Sequence, residues 1–452
     1  MFKRYVYRNY RVFVSLKEWV GRRVTLTGWM LLAGVMMTGA LGLDTSLSVA
    51  YQPFAFLFCL VLAAALAVCW NRRGLEVERR LPRFGSAGET FTYRLRVRNP
   101  GRGPLKAVSL LEELTDPRPS LAEFVSTPEP GEEKRNWFDR TYAYYRFTWL
   151  MARKTLARVQ EQPIPDLAPG AVREIEAELT PLRRGVLRLS GVTVASPDPF
   201  GLFRSLRRAP LAQSVLILPK RYPLAPFELP GAMKYQQGGV NLAGSVGESE
   251  EFVSLREYRP GDPLRRMHWK SFAKMGRPIV KEFQEEFFVR HALALDTFSS
   301  LAYNELFEEA VSVAASLAFT LQDHDSLLDL MFVGPEAYCF TSGRGVAHTE
   351  QMLEILASVQ VCRDKPFRTL ENLVLNHAGQ ISGCICVLLD WDAPRQELAQ
   401  KLRMLGVPLL VFVIVPTETR LEPGPMASQP DKLHALPLGG IAQKLAGLAL
   451  RK

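Results

Sequence analysis

Two uninterrupted apolar runs stand near the start of the chain. Val24 to Leu43, "VTLTGWMLLAGVMMTGALGL", and Pro53 to Trp70, "PFAFLFCLVLAAALAVCW", are free of charge. Each is long enough to cross a hydrocarbon core as a helix. A signal peptide has a shorter apolar region, a small-residue cleavage site and no second run. The pair is therefore read as a transmembrane helical hairpin over residues 24–70, behind an N-terminal stretch 1–23. Gly34, Thr38 and Gly42 recur at four-residue spacing, which serves close helix packing or is simply tolerated in lipid.

Beyond Trp70 the pattern changes to alternation. In "GETFTYRLRVRNPG" Phe91, Tyr93, Leu95 and Val97 fall on one face and Thr92, Arg94, Arg96 and Arg98 on the other, a half-buried strand closed by an Asn-Pro-Gly turn. The rhythm resumes from Ala171 to Phe203, and the two groups predict a small antiparallel β-sandwich over 74–220. Between them an insert, 111–162, is less regular. Phe138, Tyr142, Tyr145, Trp149 and Leu156 suggest an amphipathic helix, expected to pack on the sandwich or to lie on a membrane surface.

From His291 the pattern becomes strand, helix, strand. "HALALD", "LLDLMFV", "GCICVLLD" and "VPLLVFVIV" are short apolar strands separated by helical stretches, which predicts a doubly wound parallel sheet covered on both faces over 291–452. Residues 221–290 form a linker that carries a dense motif. The fold class is thus a membrane-anchored multidomain chain: two transmembrane helices, an antiparallel β-sandwich, then a doubly wound α/β domain.

Charge refines this picture. Of the 452 residues, 47% are hydrophobic and the formal net charge is +10, a balance that invites a nucleic-acid reading until the excess is located. Lys3, Arg4, Arg8, Arg11, Lys17, Arg22 and Arg23 stand before the first run against Glu18. Arg72, Arg73, Arg79, Arg80 and Arg83 follow the second against Glu76 and Glu78, and Asp44 alone is charged in the loop between. The excess therefore flanks the apolar runs, and the positive-inside rule puts both termini in the cytoplasm. No nucleic acid is expected as a partner; membrane-tethered nucleic-acid binding is kept as an alternative with a salt-dependent signature. Of the six cysteines, Cys384 and Cys386 are read as small buried hydrophobes, since no further Cys or His cluster completes a zinc site.

In a doubly wound sheet, ligands bind beyond the carboxyl ends of the strands where the strand order reverses. Asp296 ends the first strand and Asp390 a later one, so pairing of those strands brings the two carboxylates together. This resembles the von Willebrand factor type A fold, whose metal-ion-dependent motif is Asp-x-Ser-x-Ser. Asp296 and Ser300 match it, but Phe298 stands where the first serine belongs, removing a hard oxygen donor from a site that needs about six. Asp296, Ser300 and Asp390 are the candidate Mg²⁺ ligands, with helix capping and loop hydrogen bonding as the competing role. No P-loop, H-E-x-x-H or G-x-S-x-G motif is found.

The linker motif, "SLREYRPGDPLRRMHWKSFAKMGRP", reads mechanically. Pro260 and Gly261 suit a type II turn, and Asp262 before Pro263 suits a helix start, predicting a helix from Pro263 to about Lys274. Arg266, Lys270 and Lys274 then lie on one face, where like charges repel and call for an anionic neighbour. Either the chain's own glutamates or an acidic partner supplies it. Arg256, Glu257, Tyr258, Arg259, Gly261, Asp262, Arg265, Arg266, His268, Trp269 and Lys270 are the candidate partner-binding or structural residues. His268 has no identifiable nucleophile or orienting partner and is read as structural.

Gly247 to Glu286 as a whole, "GESEEFVSLREYRPGDPLRRMHWKSFAKMGRPIVKEFQEE", resembles the signature of the domain of unknown function 58 family, and "SPDPFGLF", Ser196 to Phe203, resembles the segment that precedes it there. The resemblance implies two membrane helices, a β-rich domain and a type A-like domain. It also implies a non-enzymatic adaptor or scaffold in the bacterial inner membrane, partnered by a MoxR-type AAA+ ATPase and other membrane proteins. The alternative is a divalent-metal-dependent enzyme or metal-mediated binding site at Asp296 and Asp390.

Overall fold

The computed structural model describes residues 2–41, 48–70, 74–224, 251–260, 262, 264, 267–284, 289–301, 303–321, 326–342 and 346–448. The chain divides into two units, Met1–Lys220 and Arg221–Lys452.

The first unit opens with three helices, α1 (Phe2–Arg23), α2 (Leu26–Leu41) and α3 (Ser48–Trp70). Within α3, Tyr51–Trp70 is the one helix among the described residues long and apolar enough to cross a membrane. Among the described residues the expected first span is shorter. Helix α2 has 16 residues, fewer than the ~20 a bilayer core asks for. Its would-be first residues, Val24 and Thr25, are used elsewhere: Val24 bridges Phe203 and the Thr25 amide donates to the Leu202 carbonyl at 3.1 Å. Small residues let α2 approach α3, with Leu57 lying 3.5 Å from where a side chain on Gly34 would begin. Gly42 lies outside the described residues.

Strands β1 (Glu76–Arg80), β2 (Phe84–Ser86), β3 (Phe91–Arg98) and β4 (Ser109–Leu114) follow. Three short helices come next: α4 (Leu121–Ser126), α5 (Trp137–Tyr142) and α6 (Tyr144–Lys154). Strands β5 (Ala157–Val159), β6 (Gln162–Pro163), β7 (Val172–Pro181), β8 (Gly185–Pro197) and β9 (Arg204–Leu218) complete the unit. The strands form two sheets, β1-β3-β7-β5 and β2-β9-β8-β4-β6, antiparallel except for the β2/β9 pair. The alternation read in β3 holds: Tyr93, Leu95 and Val97 are buried and share a core with Leu187, Leu189, Val192 and Val194 of β8. Between the sheets lies a buried ion pair. Arg79 of β1 donates to Glu112 of β4 at 2.5 and 3.1 Å, and the Tyr93 hydroxyl donates to the same carboxylate at 2.9 Å.

The insert departs from the expected single helix. Ala143 adopts a left-handed conformation, φ 51°, which separates α5 from α6. The buried positions are Ala143, Phe147 and Leu150, not the Phe138/Tyr142/Tyr145 row, because the break re-aims the helix. This face packs on α1: Tyr7 joins Phe124, Ala143, Phe147 and Leu150 in one cluster bordered by Tyr10 and Val14. The partner of the insert is thus the basic N-terminal segment, folded as a helix.

The second unit starts with strand β10 (Glu251–Glu257), helix α7 (Trp269–Met275) and strand β11 (Ile279–Gln284), the strands paired antiparallel. Then come β12 (Val289–Leu295), α8 (Glu305–Leu321), β13 (Ser326–Val333), β14 (Ala337–Ser342), α9 (Val346–Ser358), α10 (Arg368–His377), β15 (Gly383–Leu388), α11 (Ala393–Met404), β16 (Leu409–Val415), β17 (Leu433–Pro437) and α12 (Ile441–Leu448). They build a six-stranded sheet in the order β14-β13-β12-β15-β16-β17. All neighbours are parallel except β14, which pairs antiparallel with β13 at one edge. β15 and β16 are buried along their whole length, as strands covered on both faces must be. Cys384 and Cys386 are buried side by side, their sulfurs 3.8 Å apart.

Candidate functional site

After β12 the chain runs through α8 to β13 on one side, while β15 pairs with β12 on the other. The order therefore reverses between β12 and β15, and the carboxyl ends of these strands form the edge where such folds bind ligands. Asp296 is the first residue after β12, with its amide bonded to Val387 of β15 at 2.9 Å.

Asp296 is completely buried and its oxygens are occupied. One accepts the Phe298 amide at 2.9 Å; the other accepts the Leu389 amide at 3.0 Å and Arg395 Nε at 2.6 Å. Arg395 lies in the first turn of α11, whose start is set by Asp392 at the N-cap and Pro394 just inside. Its Nη1 reaches Asp392 at 2.7 Å, and its guanidinium lies 4.9 Å from the Phe367 ring centroid. Phe298 packs edge-on against the same ring. Burial pushes the Asp296 carboxyl up, against the pull of Arg395 and the two amides. For Arg395, burial is more than offset by Asp296 and Asp392, which hold it above the usual guanidinium range.

These residues do not fit a divalent ion. The carboxylate that would lead the donor set is already neutralised by a guanidinium, and an aromatic ring fills the position where the metal motif has a serine. Ser300 is exposed, and Asp390 is exposed with its carboxylate accepting the Trp391 amide at 2.7 Å. Among the described residues no group of three His, Cys, Asp or Glu side chains could hold a metal. Sequence reasoning missed Arg395. The available signal was a cation in the first turn of a helix that Asp392 and Pro394 announce, where the helix dipole disfavours it unless a carboxylate faces it.

The linker motif forms a second constellation. Arg256 of β10 grips Asp262 with both terminal nitrogens at 2.7 Å, and the Arg259 amide donates to the same carboxylate at 2.8 Å. The Arg256 hydrogen bonds and this amide hold Asp262 down to about 2. Asp262 therefore fastens the turn to the strand and does not cap the helix. The helix begins later, at Trp269, with His268 at its N-cap. The His268 amide is tied to the Ile279 carbonyl at 2.8 Å, and its Nδ1 lies 2.7 Å from the Ser271 hydroxyl. The Tyr258 amide donates to the Pro278 carbonyl at 2.9 Å. Arg277 reaches Glu257 at 3.1 Å. Gly261, Arg265 and Arg266 lie outside the described residues, as do Pro263, the expected helix start, and Glu248, Glu250, Glu285 and Glu286.

The outward side of α7 is apolar and basic together. Trp269 is 62% and Met275 66% exposed, with Phe272 36% exposed and edge-on to Trp269 at 6.2 Å. Lys270 and Lys274 flank them, both exposed, and no described carboxylate pairs with either.

Comparison with known proteins bears on this same stretch. Residues 254–421 match the family described as "Protein of unknown function DUF58", a span that runs from β10 past the end of β16. Uncharacterized protein YeaD of Bacillus subtilis is 28% identical over 184 residues, which is 40% of this chain and 44% of that protein; the chain thus spans less than half of the curated relative it matches. Among solved structures, a Salmonella alpha-2-macroglobulin is 15% identical over 35% of this chain and 8% of its own, with a TM-score of 0.19. The CARDB domain from Pyrococcus furiosus is 11% identical over 32% of this chain and 93% of its own, with a TM-score of 0.15. Overlaps this slight carry no argument about fold or function.

Proposed function

We propose that this chain is a non-enzymatic adaptor of the bacterial inner membrane, and that the outward face of α7 docks a MoxR-type AAA+ ATPase or its client. In this reading the α2/α3 hairpin enters the bilayer from the cytoplasm and returns, and the six-stranded unit is a type A-like domain with its metal replaced by Arg395. The reading rests above all on one observation: among the described residues of the motif Arg256 pairs with Asp262 and Arg277 with Glu257, while Trp269, Phe272, Lys270 and Lys274 stay outward. An exposed tryptophan beside an aromatic neighbour, rimmed by lysines, has the make-up of a protein-binding hot spot for an acidic partner. The family match over 254–421 and the basic flanks of the apolar helices agree with it.

Crosslinked pull-down of the intact protein from its native membrane tests this, comparing wild type with Trp269→Ala and with Lys270→Glu plus Lys274→Glu. The expected result is loss of the ATPase from both variants, with unchanged circular dichroism; a hot-spot tryptophan of ~2 kcal/mol corresponds to roughly thirtyfold weaker binding. Equal recovery of the ATPase with folded variants, or its absence from the wild-type sample, refutes the docking role.

A further inference from the structure

Helix α1 carries two apolar faces and spends only one of them inside the unit. Tyr7, Tyr10 and Val14 turn toward the insert, where Tyr7 also donates to the Pro119 carbonyl at 2.9 Å, and Val6 is buried beside them in sequence. Tyr5, Val12, Phe13, Leu16 and Trp19 fall on a different side of a 3.6-residue helix, and all are more than half exposed, while Phe2 at the helix start packs edge-on against Tyr142 of the insert. Arg4, Arg8 and Arg11 border that second row. Where row and border meet, a shallow cavity of about 450 Å³ is lined by Arg8, Arg11, Val12, Ser15, Leu16 and Trp19. Asp116, the acid whose field reaches Arg11, is already paired with Arg118 at 2.7 Å. Helix α1 ends at Arg23, and the apolar α2, packed on α3, begins at Leu26.

We propose that α1 is an interfacial helix: its Tyr5-to-Trp19 row sinks into the headgroup layer of the bilayer that Tyr51–Trp70 crosses, and Arg4, Arg8 and Arg11 bind anionic lipid phosphates. The occupant follows from charge and continuity. An apolar row bordered by arginines matches a surface of acyl chains topped by anions, and tryptophan and tyrosine favour that depth. The two residues between α1 and α2 leave α1 no room to move far from where α2 meets the lipid. This inference rests on the membrane reading of α3 given above.

The test uses the full chain in nanodiscs, with p-benzoylphenylalanine placed singly at position 13, 16, 62 or 182, ultraviolet activation, and mass analysis of the adducts. Position 62 lies in α3 and position 182 in the exposed β7–β8 turn. Lipid adducts at 13 and 16 as well as 62, but not at 182, are the expected result. Arg8→Glu with Arg11→Glu, or removal of phosphatidylglycerol from a phosphatidylcholine disc, is expected to lower the adducts at 13 and 16 about tenfold and leave 62 unchanged. Adducts at 62 without lipid at 13 and 16, or adducts there to protein, overturn the interfacial role while sparing the anchor. Adducts insensitive to both charge changes overturn the anionic-lipid contact. Absence of lipid at 62 removes the anchor itself and this inference with it.

Discussion

Arg395 Nε donates to the buried carboxylate of Asp296 at 2.6 Å, at the one edge of the six-stranded sheet where a doubly wound fold offers a ligand site. A protein cation thereby stands against the carboxylate that a metal motif would use. Removing it leaves a charge stranded among apolar side chains. Arg395→Ala should cost about 3–5 kcal/mol, with Asp392→Ala far milder, and Asp296→Asn with Arg395→Met should recover much of the loss. Hydrogen exchange at the Ala292 to Leu295 amides reads this out. Calorimetry on the wild-type protein should show no saturable Mg²⁺ binding.

The Arg79/Glu112 pair has the same character between the sheets of the first unit, with side chains 0% and 3% exposed. Burial pushes the Glu112 carboxyl up, and the Arg79 charge and hydrogen bonds oppose it. Arg79→Met should destabilise this unit by about 3–5 kcal/mol. Hydrogen exchange in β3 and β8 should rise, with the six-stranded sheet unaffected.

Asp262 gives a pH dependence of definite sign. Its folded value, about 2, lies below the ordinary 3.8, so the turn is fully held above 3.8 and its hold is lost as the pH falls through about 2. Carboxyl NMR should place the Asp262 midpoint near 2. Asp262→Asn should abolish that transition and loosen the turn at neutral pH.

Gly28 tests the anchoring of α2. A side chain there would begin 2.3 Å from the Leu202 carbonyl oxygen, closer than any real contact. Gly28→Ala should break the Thr25-to-Leu202 hydrogen bond and cost about 1–3 kcal/mol. Faster exchange of the Thr25 amide checks it; an unchanged rate would mean that the helix start tolerates displacement.

Much of this architecture was legible where one face of an element is buried and the other is not. Strand β3 announced itself by alternation, and β12, β15 and β16 by unbroken apolar runs. Edge strands were not legible: β14 and β17 are short, and only one side of each is paired, so their sequences carry little pattern. Helix α1 was hidden by its own two apolar faces, which blur a single period into a mixed run. The start of α7 was misplaced because Asp262 is a plausible N-cap by local chemistry, yet Arg256, at the end of β10 just before the turn, takes its carboxylate. At the candidate metal edge, Asp296 was legible as a strand-end carboxylate. Its partner was not: the pairing of β12 with β15 is the expected one, but Arg395 reaches Asp296 from the first turn of the helix that follows, and a cation there gives no periodic signal that it turns inward.

The turn from Asp198 to Phe203 does more than reverse the chain. Asp198 accepts the Leu202 amide at 2.8 Å, and the Gly201 and Leu202 carbonyls receive the Thr25 hydroxyl at 2.7 and 2.9 Å. The β8/β9 hairpin and the foot of the apolar helix are therefore riveted into a single lever. Displacement of the hairpin turn pulls on the helix foot through these bonds, and the amides on the two sides should exchange at linked rates.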